Sequence, residues 1–182
     1  MRAVDLVIVI CWVVFWIYWF VTAATAKPGQ GRWSRYAGIR VVVIVVLAFL
    51  VRALGFRSHP IKNDPVLTGV GLALFFIGLA IAVWARLYIG RNWGTPMSRK
   101  DEPELVTTGP YRRVRHPIYT GLILAMLGTA LATNLFWLIA VAVFGTFFIY
   151  SATREEAYLA GEFPDAYPAY KRSTKMLIPF IF

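Results

Sequence analysis

Two short segments carry most of the side chains able to bind or react. The first reads Arg115-His116-Pro117-Ile118-Tyr119-Thr120-Gly121 and the second Arg154-Glu155-Glu156. Pro117 suits the first position of a helix, which makes His116 the N-cap and leaves the N–H groups of Ile118 to Thr120 without intrahelical partners. A helix start of this kind attracts an anion, and Arg115 adds a full positive charge beside it. Glu155 and Glu156 follow an apolar run, where unpaired carboxylates are costly, so each needs a partner. Successive helical positions differ by about 100°, which predicts that only one of the two points squarely into a site. The blander reading makes Arg115 a membrane anchor, His116 a cap and the glutamates a solvated helix end.

The rest of the chain says where such a site would sit. Of 182 residues, 59% are hydrophobic, and they are gathered into long blocks separated by basic stretches. That pattern predicts an all-α, polytopic membrane protein of about five transmembrane helices. The first span runs from about Val4 to Ala24, the second from Gly38 to Leu54 and the third from Pro65 to Ile89. Val41 to Val51 is β-branched, yet a membrane span must satisfy its own backbone and is therefore expected to be helical. Residues Pro117 to Ser151 would make one helix of about 50 Å, too long for a hydrocarbon core of about 30 Å. Thr133-Asn134 is the polar break, so spans four and five are expected to form a hairpin turning near Ala132 to Leu135. One membrane domain, residues 1–182, follows, with an N-terminal two-helix portion (1–64) and a core (65–182).

Charge sets the expected orientation. The formal net charge is +10. With the C-terminus inside, four basic residues from Lys27 to Arg40, seven from Arg86 to Arg115 and four from Arg154 to Lys175 lie inside, fifteen of the nineteen in all. The positive-inside rule thus places the N-terminus outside and the C-terminus in the cytoplasm, in a multi-pass prokaryotic inner-membrane protein. The basic residues flank spans and no free basic domain remains, which argues against nucleic acid. Cys11 is the only cysteine and lies in an apolar run, so neither an intramolecular disulfide nor a thiolate metal cluster is expected. Ala24-Thr25-Ala26 resembles a signal-peptidase site, but the preceding run has the length of a span, and an uncleaved helix is expected.

Two further features complete the constellation. Gly121, Ala125, Gly128 and Ala132 share one helix face, where a ligand or a neighbouring helix could approach the backbone; Gly71 and Gly78 offer similar small surfaces on span three. The tail from Thr153 to Phe182 is polar and aromatic, with Tyr158, Tyr167, Tyr170, Lys171 and Arg172. It is expected to lie at the membrane surface, where it could act as a lid over a polar pocket.

In order and spacing these features resemble the isoprenylcysteine carboxyl methyltransferase family. The resemblance rests on Arg115 to Gly121, the Glu155-Glu156 pair, the lead-in Leu105-Val106-Thr107-Thr108-Gly109-Pro110-Tyr111, and the tail Tyr167-Pro168-Ala169-Tyr170 closing on Ile178-Pro179-Phe180. It covers residue 65 to the end. The resemblance implies S-adenosylmethionine as cofactor, held by Arg115, His116, Pro117, Tyr119, Gly121, Glu155, Glu156, Tyr111 and Tyr170 and closed by the tail. It also implies a lipid-like, amphiphilic methyl acceptor entering from the bilayer, and no metal. A carboxylate acceptor is already ionised, so the protein would supply alignment and a dry site rather than a general base.

One position departs from the pattern. In eukaryotic members a tail arginine is thought to orient the substrate carboxylate, and the corresponding position here is Ser173. Arg172 beside it, Arg91 in Gly90-Arg91-Asn92-Trp93, and Glu156 are the candidates for the catalytic role, and the acceptor need not be a prenylcysteine. The rival readings are a phospholipid N-methyltransferase, an NADPH-dependent reductase of the sterol-reductase type, and a non-catalytic protein that binds lipid or a partner. Against the reductase, Ile118 and Leu122 occupy positions where those enzymes typically carry Asn and an acidic residue.

Overall fold

The structure is a computed structural model that describes residues 2–23, 64–93 and 104–182. All regular elements among them are helical. Helix α1 spans Ala3–Ala23, α2 Pro65–Ile89, α3 Pro117–Ala132, α4 Leu138–Glu162 and α5 Ala166–Ser173. The predicted second span and the possible cleavage site at residues 24–26 lie outside the described residues.

Local sequence explains the helix ends. Asp64 caps α2 by accepting hydrogen bonds from the Val66 and Leu67 N–H groups, with Pro65 at the first helical position, which satisfies donors that otherwise have no partner. The chain leaves α2 through Gly90, which has φ 54°, a conformation that glycine adopts at little cost. Asn134 caps a short 3-10 turn, Leu135–Trp137, by accepting from the Phe136 N–H. This turn makes the expected hairpin between α3 and α4.

The hairpin divides its apolar segment unequally. At 1.5 Å per residue the 16-residue α3 is about 24 Å long, short of a hydrocarbon core of about 30 Å. Helices α1, α2 and α4 are long and apolar enough to cross a membrane. Their outer faces carry exposed Val14, Phe20, Ile77, Leu87, Ile139 and Val143, as lipid contact requires. Helix α4 also runs past the apolar segment to Glu162, so the predicted polar tail begins as helix. Residues 152–160 include Ala, Leu and Glu and contain neither Gly nor Pro, so nothing breaks the helix there.

The small-residue faces hold α2 against α3. A Cβ added at Gly71 would fall within 3.0 Å of the Ala132 backbone, and one at Gly78 within 3.0 Å of the Ala125 backbone. In return, Gly121 faces Ala82 and Gly128 faces Phe75 at equally close range. Of the two occupants the sequence allowed for this stripe, a ligand or a helix, it is the helix. Backbone contact of this kind gives dense dispersion packing where the hydrophobic effect is absent. Helix α1 joins through buried Ile8, Phe15 and Trp19 and through Trp12, whose indole Nε1 donates to Thr129 Oγ1 at 3.1 Å.

Gly78→Ala or Gly128→Ala is expected to lower stability by about 1–3 kcal/mol through overpacking, read as a lower melting temperature in detergent. Gly145→Ala on α4, where an added Cβ meets nothing within 4 Å, should be neutral or slightly stabilising.

Candidate active site

The close α2–α3 contact fixes the start of α3, and α4 and α5 bring the remaining polar groups to it. Arg115 sits just before α3. Its Nε donates to Glu156 Oε1 at 2.7 Å, and another guanidinium nitrogen donates to the Thr174 carbonyl at 2.7 Å and the Lys171 carbonyl at 3.3 Å. The Arg115 and Glu156 side chains are 8% and 3% exposed, so this ion pair is buried. The second Glu156 oxygen lies 2.8 Å from Lys171 Nζ. A buried carboxylate thus receives two cations, Arg115 from just before α3 and Lys171 from α5.

His116 occupies the N-cap position of α3, as expected, with Pro117 at the first helical position and no capping bond from the imidazole. Its Nδ1 lies 3.4 Å from Glu155 and its Nε2 3.4 Å from Glu156, yet Nε2 makes no hydrogen bond. Both glutamates therefore engage the site, contrary to the expectation that only one would. The imidazole lies between them, and their flexible stems make up the angular difference. Burial works against a charged imidazole, but the attraction of Glu155 and then Glu156 outweighs it and raises the His116 pKa. Tyr119 donates to Glu155 Oε1 at 2.5 Å. Its ring lies in a stack with His116 on one side and Phe148 on the other, with interplanar angles of 8° and 13°.

The tail closes over this cluster. Arg115 N donates to the Lys175 carbonyl and His116 N to the Met176 carbonyl, at 2.8 and 3.1 Å, in a short parallel pairing between Val114 and Lys175. Thr120 Oγ1 donates to the Leu177 carbonyl at 2.7 Å, and Tyr170 donates to the Tyr111 carbonyl at 2.7 Å. Burial pushes the Tyr111, Tyr167 and Tyr170 hydroxyls well above the usual phenol range. They remain donors at physiological pH and do not serve as bases. A cavity of about 320 Å3 opens beside the cluster, bounded by Glu156, Tyr167, Pro168, Lys171, Thr153 and Met176. The Tyr167 hydroxyl is buried without a hydrogen-bond partner.

Of the residues singled out from sequence, the fold brings together Arg115, His116, Tyr119, Glu155 and Glu156, with Tyr111 and Tyr170 beside them. Pro117 and Gly121 are buried, Gly121 against α2. Arg172 on α5 and Arg91 in the 3-10 turn Gly90–Asn92 are exposed and lie outside the buried cluster. Ser173 Oγ turns back to the Tyr170 carbonyl. Sequence reasoning missed Lys171 as a Glu156 partner, since as a tail lysine it reads like an anchor. It also missed Arg86, which is 3% exposed and was counted only as a flanking charge; its one signal was its place inside an apolar run.

Residues 66–166 match the family described as phospholipid methyltransferase, which is more than half of the chain. The chain belongs to the phospholipid methyltransferase and isoprenylcysteine methyltransferase family. Within it, the chain is 39% identical over 114 residues to the protein-S-isoprenylcysteine O-methyltransferase of Schizosaccharomyces pombe, a match covering 60% of this chain and 48% of that protein. It is also 30% identical over 146 residues to the nickel-cobalt-cadmium resistance protein NccN of Alcaligenes xylosoxydans xylosoxydans, covering 77% of this chain and 62% of NccN. The chain thus spans half to three fifths of the length of these relatives. The fold is similar to that of the solved eukaryotic intramembrane Ras methyltransferase, isoprenylcysteine carboxyl methyltransferase, with TM-score 0.57 at 24% identity, covering 84% of this chain and 55% of that one.

Two outcomes test the site's energetics. Glu156→Gln leaves Arg115 buried beside a neutral partner and should cost about 3–5 kcal/mol, whereas Lys171→Ala, whose side chain is 54% exposed, should cost no more than about 1 kcal/mol. The charge on His116 stabilises fully below the ordinary histidine value of about 6.5 and is lost as pH rises through its higher folded-state value. The melting temperature should therefore fall as pH rises above about 6.5, and His116→Asn should flatten that fall.

Proposed function

We propose that this protein is an integral membrane methyltransferase that moves a methyl group from S-adenosylmethionine to an amphiphilic, lipid-like acceptor. The observation that carries this reading is the buried cluster of Arg115, His116, Glu155, Glu156 and Lys171, closed by the tail and bordered by a cavity. The residues present fit such a cofactor. Carboxylates suit its amino and ribose hydroxyl groups, cations suit its carboxylate, and two buried polar atoms, His116 Nε2 and the Tyr167 hydroxyl, have no protein hydrogen bond to lose. Arg115, His116, Tyr119, Glu155 and Glu156 would hold it, with Pro117, Gly121, Tyr111 and Tyr170 supporting their positions. When bound, the cofactor supplies an electrophilic methyl group on a sulfonium. The chain's residues would then align the two reactants and exclude water, with Tyr170 and the segment after it forming the cover.

The same reading includes five spans in a single domain, the N-terminus outside and the C-terminal tail in the cytoplasm, which the distribution of basic residues supports. The acceptor is the open part. The relatives include proteins named for prenylcysteine methylation and for metal resistance, and Ser173 stands where a substrate-orienting arginine was expected. The described residues hold no group of three or more His, Cys, Asp or Glu side chains placed to bind a metal ion.

The purified chain in detergent should be stabilised against heat by S-adenosylhomocysteine and not by NADPH. Arg115→Ala, His116→Ala and Glu156→Ala should each weaken that binding by at least about tenfold, as loss of a charge-assisted hydrogen bond implies. Stabilisation by NADPH alone would replace this reading with a reductase, and wild-type affinity in all three variants would move the site elsewhere.

A further inference from the structure

After Leu177 the chain turns back on itself and presents apolar side chains outward. Leu177 is buried and belongs to the apolar cluster that includes Ala82, Ala85, Trp93 and Ile118. The next residues reverse this. Ile178 and Phe182 are exposed, and Phe180 and Ile181 are 86% and 75% exposed. The segment is nevertheless well tied. The Ile178 carbonyl accepts from the Ile181 and Phe182 N–H groups, and the Phe182 carbonyl accepts from those of Leu177 and Ile178, at 2.5 to 3.2 Å. Proline fixes its own φ near about −65°, so Pro179 followed by Phe180 at φ 68° has the form of a type II turn. The second central position of that turn ordinarily takes glycine. A bulky aromatic residue there is strained, and a ring so exposed recovers little of that cost from contacts within the chain. The compensation has to come from outside it.

We propose that Ile178 to Phe182 insert into the bilayer leaflet on the site's side, and that Arg112, Arg113 and Lys175 hold anionic phospholipid headgroups beside them. Position favours the leaflet. The Leu177 carbonyl accepts from Thr120 Oγ1 in the first turn of α3 at 2.7 Å. The cluster that buries Leu177 includes Ala82 and Ala85, on the same stretch of α2 as the exposed Trp84 and Leu87. The loop thus continues the lipid-facing surface of the helices. Its uncharged aromatic and aliphatic side chains suit the boundary between headgroups and hydrocarbon. Charge selects the kind of lipid. The Lys175 N–H donates to the Arg113 carbonyl at 3.3 Å, which sets these two residues side by side, and both are exposed, as is Arg112. Among the described residues none of the three pairs with a carboxylate. Unpaired cations of one sign around an apolar patch fit an anionic leaflet. A second copy of a chain with net charge +10 would add repulsion instead. The loop follows directly on the residues that pair with Arg115 and His116, so its insertion would hold the tail over the buried cluster. What that does for a cofactor rests on the methyltransferase reading; the insertion itself does not.

The test uses the full chain in lipid nanodiscs. Cys11→Ala removes its one cysteine, and Phe180→Cys carries a bimane label. Brominated phosphatidylglycerol and brominated phosphatidylcholine are the quenchers. Both should quench the label at position 180, and neither should quench it on Glu162→Cys, at the exposed end of α4. Phosphatidylglycerol should act at the lower mole fraction. Arg113→Gln and Lys175→Gln should each cut that preference by up to about fivefold, the effect of one basic residue near an anionic surface. Phe180→Gly suits the turn and keeps the fold. It should nevertheless speed hydrogen exchange of the Lys175 and Leu177 amides by about tenfold or more, because the tail loses an apolar anchor. An unquenched label at position 180 overturns the insertion, and equal action of the two lipids overturns the anionic preference. Disulfide-linked dimers of unlabelled Phe180→Cys in place of quenching would give the patch to a second copy and sink the proposal. Unchanged exchange in Phe180→Gly would overturn the link to the tail. None of these readouts needs a cofactor. Failure of S-adenosylhomocysteine to bind in the same nanodiscs would therefore count against the methyltransferase reading and not against lipid docking.

Discussion

The buried pairing of Arg115 with Glu156 is the interaction on which the site depends. Both groups lie where water cannot solvate them, so each is tolerable only because the other is there. Arg115 precedes α3 and Glu156 lies near the end of α4, so the pair fixes the hairpin at its open end. The same guanidinium holds the carbonyls of Lys171 and Thr174, which draws the tail into the arrangement. Three parts of the chain that are distant in sequence are thereby committed to one geometry.

That geometry needs a rigid base, and the α2–α3 contact provides it. Glycines on both helices bring the backbones together so closely that no side chain fits between them. The start of α3 is then fixed relative to the end of α2. The buried Arg86 at the end of α2 and the start of α3, which carries His116 and Tyr119, are therefore held together by one rigid pair of helices.

The tail shows how little regular structure is needed to close a site. It contributes one short helix and a few backbone pairings, yet these supply Lys171, Tyr167 and the carbonyls that complete the coordination of Arg115. Burial keeps its Tyr170 protonated, and that hydroxyl donates to the Tyr111 carbonyl. Closure by backbone hydrogen bonds tolerates changes in side chain, which accounts for a fold that keeps its cover while Ser173 stands where an arginine was expected.

By itself the sequence determined the helical character of the described spans, the limits of α2 and the hairpin turn at Thr133-Asn134, and its resemblance to a known family pointed to Arg115, His116, Tyr119 and the glutamate pair together. The helical features follow from local rules: apolar run length, and proline and glycine at helix ends. The tertiary structure alone decided which surfaces meet. It gave the small-residue stripe of α3 to α2, turned both Glu155 and Glu156 onto His116, and left Arg91 and Arg172 exposed while burying Arg86. Those outcomes depend on the packing of residues far apart in the chain, and an arginine reads the same in sequence whether it faces water or the interior.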